Sequence, residues 1–209
     1  MTIRERSSIE KNLAPLLPEA ALHQVVDLLF RFQVDLVVTY PRSGRLGDYL
    51  YNTKNNRHRI SININLNRYQ FLITLLHEFA HLLVQERFKT EVRPHGKEWH
   101  AAFCEISMPF LRDDIFPLDV KAAFGAHLKS RYGSAYADKK LSKILERYNG
   151  IEQNRYKVEL GTLPVSSKFF LSGRSFQCIS RQGNVILCQE LKTGTIYRMS
   201  SSVFVKPYL

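Results

Sequence analysis

The sequence predicts an α+β protein in two parts: a helical domain holding a small antiparallel sheet over residues 1–150, and a small basic all-β module over 151–209. Three observations predict this. Apolar residues recur at helical spacing through much of the first 148 residues, and β-branched, alternating runs interrupt them between 34 and 65. After Asn149-Gly150 the chain turns to short β-rich pieces separated by glycine-containing turns. A chain of 209 residues and 24.3 kDa has the length for one large or two small domains.

The opening is helical, with Leu13, Leu16, Leu17, Ala20, Val25, Val26 and Leu29 near helical spacing. Pro18 divides it, because proline suits the first turn of a helix and breaks an interior. The β-branched run 34–40 reads as a strand ended by Pro41-Arg-Ser-Gly44. Runs 46–54 and 57–65 flank Asn55-Asn56 as a hairpin. In the second run Ile60, Ile62 and Ile64 alternate with Ser61, Asn63 and Asn65, a pattern that predicts one buried face. From 68 to about 88 the period is helical again, with Phe71, Leu72, Leu75, Leu76, Phe79, Leu82 and Leu83 apolar. A further helix starts near Gly96 and passes through Trp99, Phe103 and Ile106 to stop before Pro109. Two more cover 119–130 and 134–148, the last of them basic. Strands at 168–171, 175–180, 185–190, 195–199 and 203–206, spaced by turns, predict a small module such as a barrel.

Composition excludes several classes. A hydrophobic fraction of 44% with 13 Phe and 10 Tyr is too rich for a disordered chain. The longest mostly apolar stretch, 71–84, is interrupted by His77, Glu78 and His81 and falls short of the roughly 20 residues of a membrane span. Arg4, Glu5 and Arg6 stand where a secretory signal is apolar, so export is not expected. Three scattered cysteines, Cys104, Cys178 and Cys188, make no disulfide framework, and the cytoplasm is the expected compartment. The net charge of +11 is uneven. Residues 1–119 carry 15 Lys+Arg and 14 Asp+Glu, whereas 120–209 carry 15 and 5, a net of +10. Such asymmetry is expected of a surface that meets a polyanion such as nucleic acid, and equally of a well-solvated basic surface.

Chemistry is concentrated in His77-Glu78-Phe79-Ala80-His81, an H-E-x-x-H on a predicted buried helix. Residues four apart share a helix face, so two imidazoles can grip one zinc ion while the adjacent Glu78 reaches a water as general base. For this composition roughly 0.01 chance matches are expected. The alternative, two core histidines, leaves buried polar groups without partners at about 1 to 3 kcal/mol each.

A catalytic zinc commonly takes three protein ligands and keeps a position for water. Position 84 is Val and position 87 is Arg, so the metzincin continuation is absent. The candidates for the third ligand are Glu91, His95, Glu98, His100 and Glu105. His95 stands out because Gly96 permits close backbone approach at a helix start, and Trp99 can pack that turn against the first helix.

His77-Glu-Phe-Ala-His-Leu-Leu83, followed by His95-Gly96-Lys97-Glu98-Trp99, resembles the SprT-like metallopeptidase family, which includes the Spartan proteases acting on DNA–protein crosslinks. The match is specific over 66–100, and the order of hairpin and helices is compatible from 34 to 148. The resemblance implies a zincin-like catalytic domain, Zn²⁺ held by His77, His81 and His95, Glu78 as the catalytic glutamate, and protein substrates held on DNA through the basic C-terminal half. The sequence also departs from the family, because the paired C-x-x-C motifs of a C-terminal zinc ribbon are absent and Cys178 and Cys188 stand alone. A single zinc and a metal-free β module follow. The two cysteines then read as core, as do Phe169, Phe170, Phe176, Tyr197 and Phe204 in preference to base stacking. Arg131, Tyr132 and Tyr136 are candidates to polarise a substrate carbonyl, and His100 is a surface position or a neighbour of the metal. His23, His58 and His127 show no partner in the sequence. The competing expectation is a nucleic-acid-binding protein with a structural zinc site, closed by four protein ligands.

Overall fold

The computed structural model describes residues 3–42, 44–89, 92–130, 138–149 and 157–208. It forms two compact units, Met1–Asn149 and Gly150–Leu209, and its class is α+β. No helix among the described residues is long and apolar enough to cross a membrane.

In the first unit, helices α1 (Ile3–Leu13) and α2 (Glu19–Arg31) precede strands β1 (Val34–Thr39), β2 (Gly47–Asn52) and β3 (Arg57–Asn63). Pro18 is the residue before the first turn of α2, which buries Ala21, Val25, Val26 and Leu29 on one face. The β2–β3 pair is the expected antiparallel hairpin, but the sheet as a whole is mixed and not antiparallel. Its order is β1-β3-β2, with β1 parallel to β3. The segment after β1 carries the chain across to the far edge before β2 begins, so β3 is placed between its two predecessors.

β3 is paired along both edges and is also covered on both faces. Ile60 and Ile62 are fully buried as the alternation predicts, yet Ser61 and Asn63, expected in water, are buried as well. Arg42 reaches over them and donates to both side chains.

Helix α3 (Arg68–Phe88) lies against this sheet and α4 (Lys97–Ser107). Its start is set by a capping box. Asn67 Oδ1 accepts from the backbone N–H groups of Tyr69 and Gln70, while the Gln70 side chain accepts from the Asn67 N–H. Asn67 Nδ2 also donates to the carbonyl of Leu145 at 2.9 Å. That bond ties α3 to the end of α6 (Lys139–Glu146). Eleven residues of α3 are buried, including Glu78, because sheet and helices cover most of its surface. A 3-10 turn carrying Pro109 follows α4, and α5 (Leu118–Lys129) buries Phe124 and His127. The basic helix α6 is shorter than its apolar period predicts and starts at the N-cap Asp138; the segment 131–137, with Arg131, Tyr132 and Tyr136, lies outside the described residues.

In the second unit a short strand unseen in the sequence, β4 (Val158–Glu159), precedes β5 (Lys168–Leu171), β6 (Arg174–Gln182), β7 (Val185–Glu190), β8 (Ile196–Ser200) and β9 (Phe204–Pro207). They form one antiparallel sheet in the order β4-β9-β5-β6-β7-β8. Leu160, Phe169, Phe176, Cys178, Ile186, Cys188 and Val205 make its core. Cys178 and Cys188 face each other across β6 and β7, buried and unbridged. Phe170 is also buried and Tyr197 is half-buried, but Phe204 is exposed.

Candidate metal centre

His77 and His81 lie one turn apart on α3, and the segment before α4 brings His95 against them. The three Nε2 atoms form a nearly equilateral triangle: 3.3 Å from His77 to His81, 3.1 Å from His81 to His95, and 3.2 Å from His95 to His77. Hydrogen bonding cannot account for that triangle. Each neutral Nε2 is either a donor or an acceptor, so two of the three must share a role and at least one edge is repulsive. A single cation removes the conflict. Nitrogens about 2.0 to 2.1 Å from a tetrahedral zinc stand about 3.3 Å apart, close to the spacing observed. The residues present therefore fit one zinc ion.

The backbone makes this convergence possible at some cost. His95 has φ +56°, in the left-handed region that side chains other than Gly and Asn seldom adopt. Gly96, the N-cap of α4, then donates its N–H to the Arg93 carbonyl at 3.0 Å, and a Cβ on Gly96 would lie 2.9 Å from that oxygen. Trp99 packs beneath all three imidazoles, with ring centroids 4.6, 5.5 and 4.7 Å from His77, His81 and His95. Phe103 stacks behind it at 4.9 Å.

This packing sets the protonation states. Burial, followed by the neighbouring histidines, holds His77 down to about 3, and burial and then His95 hold His81 down to about 4. His95 is lowered by burial as well. All three are neutral at pH 7, the form that binds a metal.

Glu78 lines a cavity of about 460 Å³ whose wall also includes His77, His95, Thr74, Gly47 and Arg42. Burial, and then Asp48, raise its carboxyl to about 8, with Arg42 acting in the opposite direction. A carboxylic acid that titrates near neutrality is suited to proton transfer.

The other candidates lie elsewhere. Glu105 is taken up by a two-pronged ion pair with Arg87 at 2.6 and 2.7 Å. Glu98 and His100 are outside the cluster, His100 standing beside Cys104 on α4, and Glu91 lies outside the described residues. The histidines without visible partners have them: His23 with Glu10, His127 with Asp138, and buried His58 between Tyr49 and Glu86. Arg42 and Gly47 escaped the sequence reading, because nothing in their local spacing announces a cavity formed by a distant helix.

The α+β unit thus carries a buried H-E-x-x-H helix, a third histidine closing on it and a cavity beside it. Residues 19–122 match the SprT-like family and form a domain of that family, whose members are generally of the metallopeptidase type. No curated protein and no solved structure gives a match.

Proposed function

We propose that the chain is a zinc-dependent peptidase with a zincin-like catalytic domain, in which His77, His81 and His95 hold the metal and Glu78 is the general base. The observation that carries this reading is the triangle of three Nε2 atoms next to a cavity that contains Glu78. Zinc at this site would supply Lewis-acid polarisation of a carbonyl and of water. Glu78 takes a proton from the water that adds to the carbonyl carbon, and returns it to the departing amine as the C–N bond breaks. The cluster comprises three side chains among the described residues, which favours a site open to substrate over a structural one closed by four protein ligands.

In the same reading the substrates are proteins on DNA, and the net charge of +10 over 120–209 holds the enzyme there. Three free cysteines support a reducing, cytoplasmic setting.

Glu78→Gln tests the chemistry: it is expected to keep one zinc per chain and to lose hydrolysis by at least about a hundredfold. Equal activity in that variant would end the assignment. For the DNA role, binding of a duplex oligonucleotide should weaken steeply with salt, and substitution of basic residues in the second unit should flatten that slope.

A further inference from the structure

We propose that Arg42 is a specificity residue of this cavity, a fixed guanidinium that receives a carboxylate side chain of the substrate beside the scissile bond. The inference rests on the peptidase reading and deepens it, by naming acidic peptide segments as the preferred substrates.

Arg42 follows β1 and lines the same cavity as His77, Glu78 and His95. Its position is unusually constrained for a long side chain. Nε donates to Asn63 Oδ1 at 3.0 Å, one Nη to Ser61 Oγ at 2.9 Å, and the other Nη to the Ser61 carbonyl at 3.2 Å. The acceptors are themselves held. Asn63 is almost completely buried, donates to the Arg45 carbonyl at 2.8 Å, and accepts from Thr39. All three acceptors are neutral, so they orient the charge without cancelling it. Three of the five guanidinium N–H groups are used, which leaves one on each Nη.

Of the neighbouring carboxyl groups, Glu78 lines the same cavity and feels the Arg42 charge but forms no ion pair with it. Asp48 is paired with Arg45 at 3.0 Å, and no carboxylate forms an ion pair with Arg42 among the described residues. Arg45, on the same wall, is exposed and already paired, which singles out Arg42 as the unbalanced cation. If Arg42 served only to fasten β1 to β3, uncharged donors would do so without burying a charge beside a reaction site. A rigid, half-buried guanidinium instead suits a planar carboxylate, because its ordering cost is met before substrate arrives.

The test uses the zinc-loaded full chain and matched peptides in which a single Glu is walked through the three positions on either side of the cleaved bond, each paired with its Gln counterpart. At one position Glu should be preferred about tenfold in kcat/KM, mainly through KM, as one charge-assisted hydrogen bond supports. Arg42→Gln should bring that ratio close to one, Arg42→Lys should retain part of it, and Arg42→Glu should turn the preference to Lys at the same position. Absence of a Glu preference at every position in the unaltered chain overturns the proposal, as does a preference that survives Arg42→Gln. A change in affinity for a duplex oligonucleotide with the Glu/Gln ratio intact also overturns it, in favour of a phosphate contact. Should the zinc-loaded chain cleave none of the peptides, the peptidase reading fails by itself. Fluorescence anisotropy with the same Glu and Gln peptides then decides the arginine separately, equal affinities counting against it.

Discussion

Gly47 on β2 lies so close to Glu78 on α3 that a Cβ built on the glycine would stand 2.6 Å from Glu78 Oε1 and 2.8 Å from Thr74 Cγ2. Strand and helix are far apart in sequence, and their contact defines how much room the carboxyl group has. Gly47→Ala should therefore displace Glu78 and lower kcat/KM by at least about tenfold, with overpacking costing about 1 to 3 kcal/mol of stability. Zinc content should stay at one per chain, since the atoms nearest that Cβ belong to Glu78 and Thr74 and not to a histidine. Kinetics and metal analysis on one preparation check both parts.

Metal affinity should separate the candidate ligands. His95→Ala should weaken zinc binding by at least about tenfold, whereas Glu98→Ala and His100→Ala should leave it at one per chain. Trp99, the only tryptophan of the chain, lies against all three imidazoles, so its fluorescence should report each titration. Zinc at a thousand times its dissociation constant should stabilise the first unit by about 4 kcal/mol, and a chelator should remove that gain.

The metal-stripped chain should show an asymmetric dependence of stability on pH. For His77 and His81 the folded values of about 3 and 4 lie below the ordinary 6.5. The unfolded chain thus takes up protons below 6.5 while the folded chain does not, and stability is lost as pH falls toward 4 and 3. Glu78 has the opposite sign: raised from 4.5 to about 8, its contribution is present below 4.5 and lost as pH rises through 8. Between 4.5 and 6.5 the histidines outnumber the glutamate, so Trp99-monitored denaturation should give a maximum near pH 6.5. Glu78→Gln should flatten the limb from 6.5 to 8 and steepen the rise between 4.5 and 6.5, where Glu78 opposes the histidines; an unchanged alkaline limb would remove Glu78 as its cause.

Asn67 caps α3 and at the same time holds the last turn of α6. Asn67→Ala removes both, and should lower stability by about 2 kcal/mol, at the upper end for an N-cap. Asn67→Asp keeps the cap acceptor but loses the donor to Leu145, so it should fall between the two in a denaturant titration.

Much of the site was legible from local pattern. The period from Phe71 to Leu83 and the spacing of His77 and His81 depend only on neighbours within a turn or two, and the observed α3 carries both histidines on one face. Gly96 and Trp99 likewise signalled a close turn beside His95. The turns at Ser172-Gly173 and Gly183-Asn184 separate β5, β6 and β7 where the sequence placed them.

The sequence by itself determined most of the elements, the H-E-x-x-H motif and the basic second half, because helical period, strand alternation and charge are properties of short stretches. Only the tertiary structure decided the rest. The crossing of the chain before β2 made the sheet mixed and put β3 in its centre, and it brought Arg42 over Ser61 and Asn63, both of them buried. The same crossing laid Gly47 against Glu78, and the fold selected His95 from among the described candidates by bringing it within 3.3 Å of the other two rings. Such contacts join residues many positions apart, where the order of strands and the packing of a helix on them, and not any local spacing, set which side chains meet.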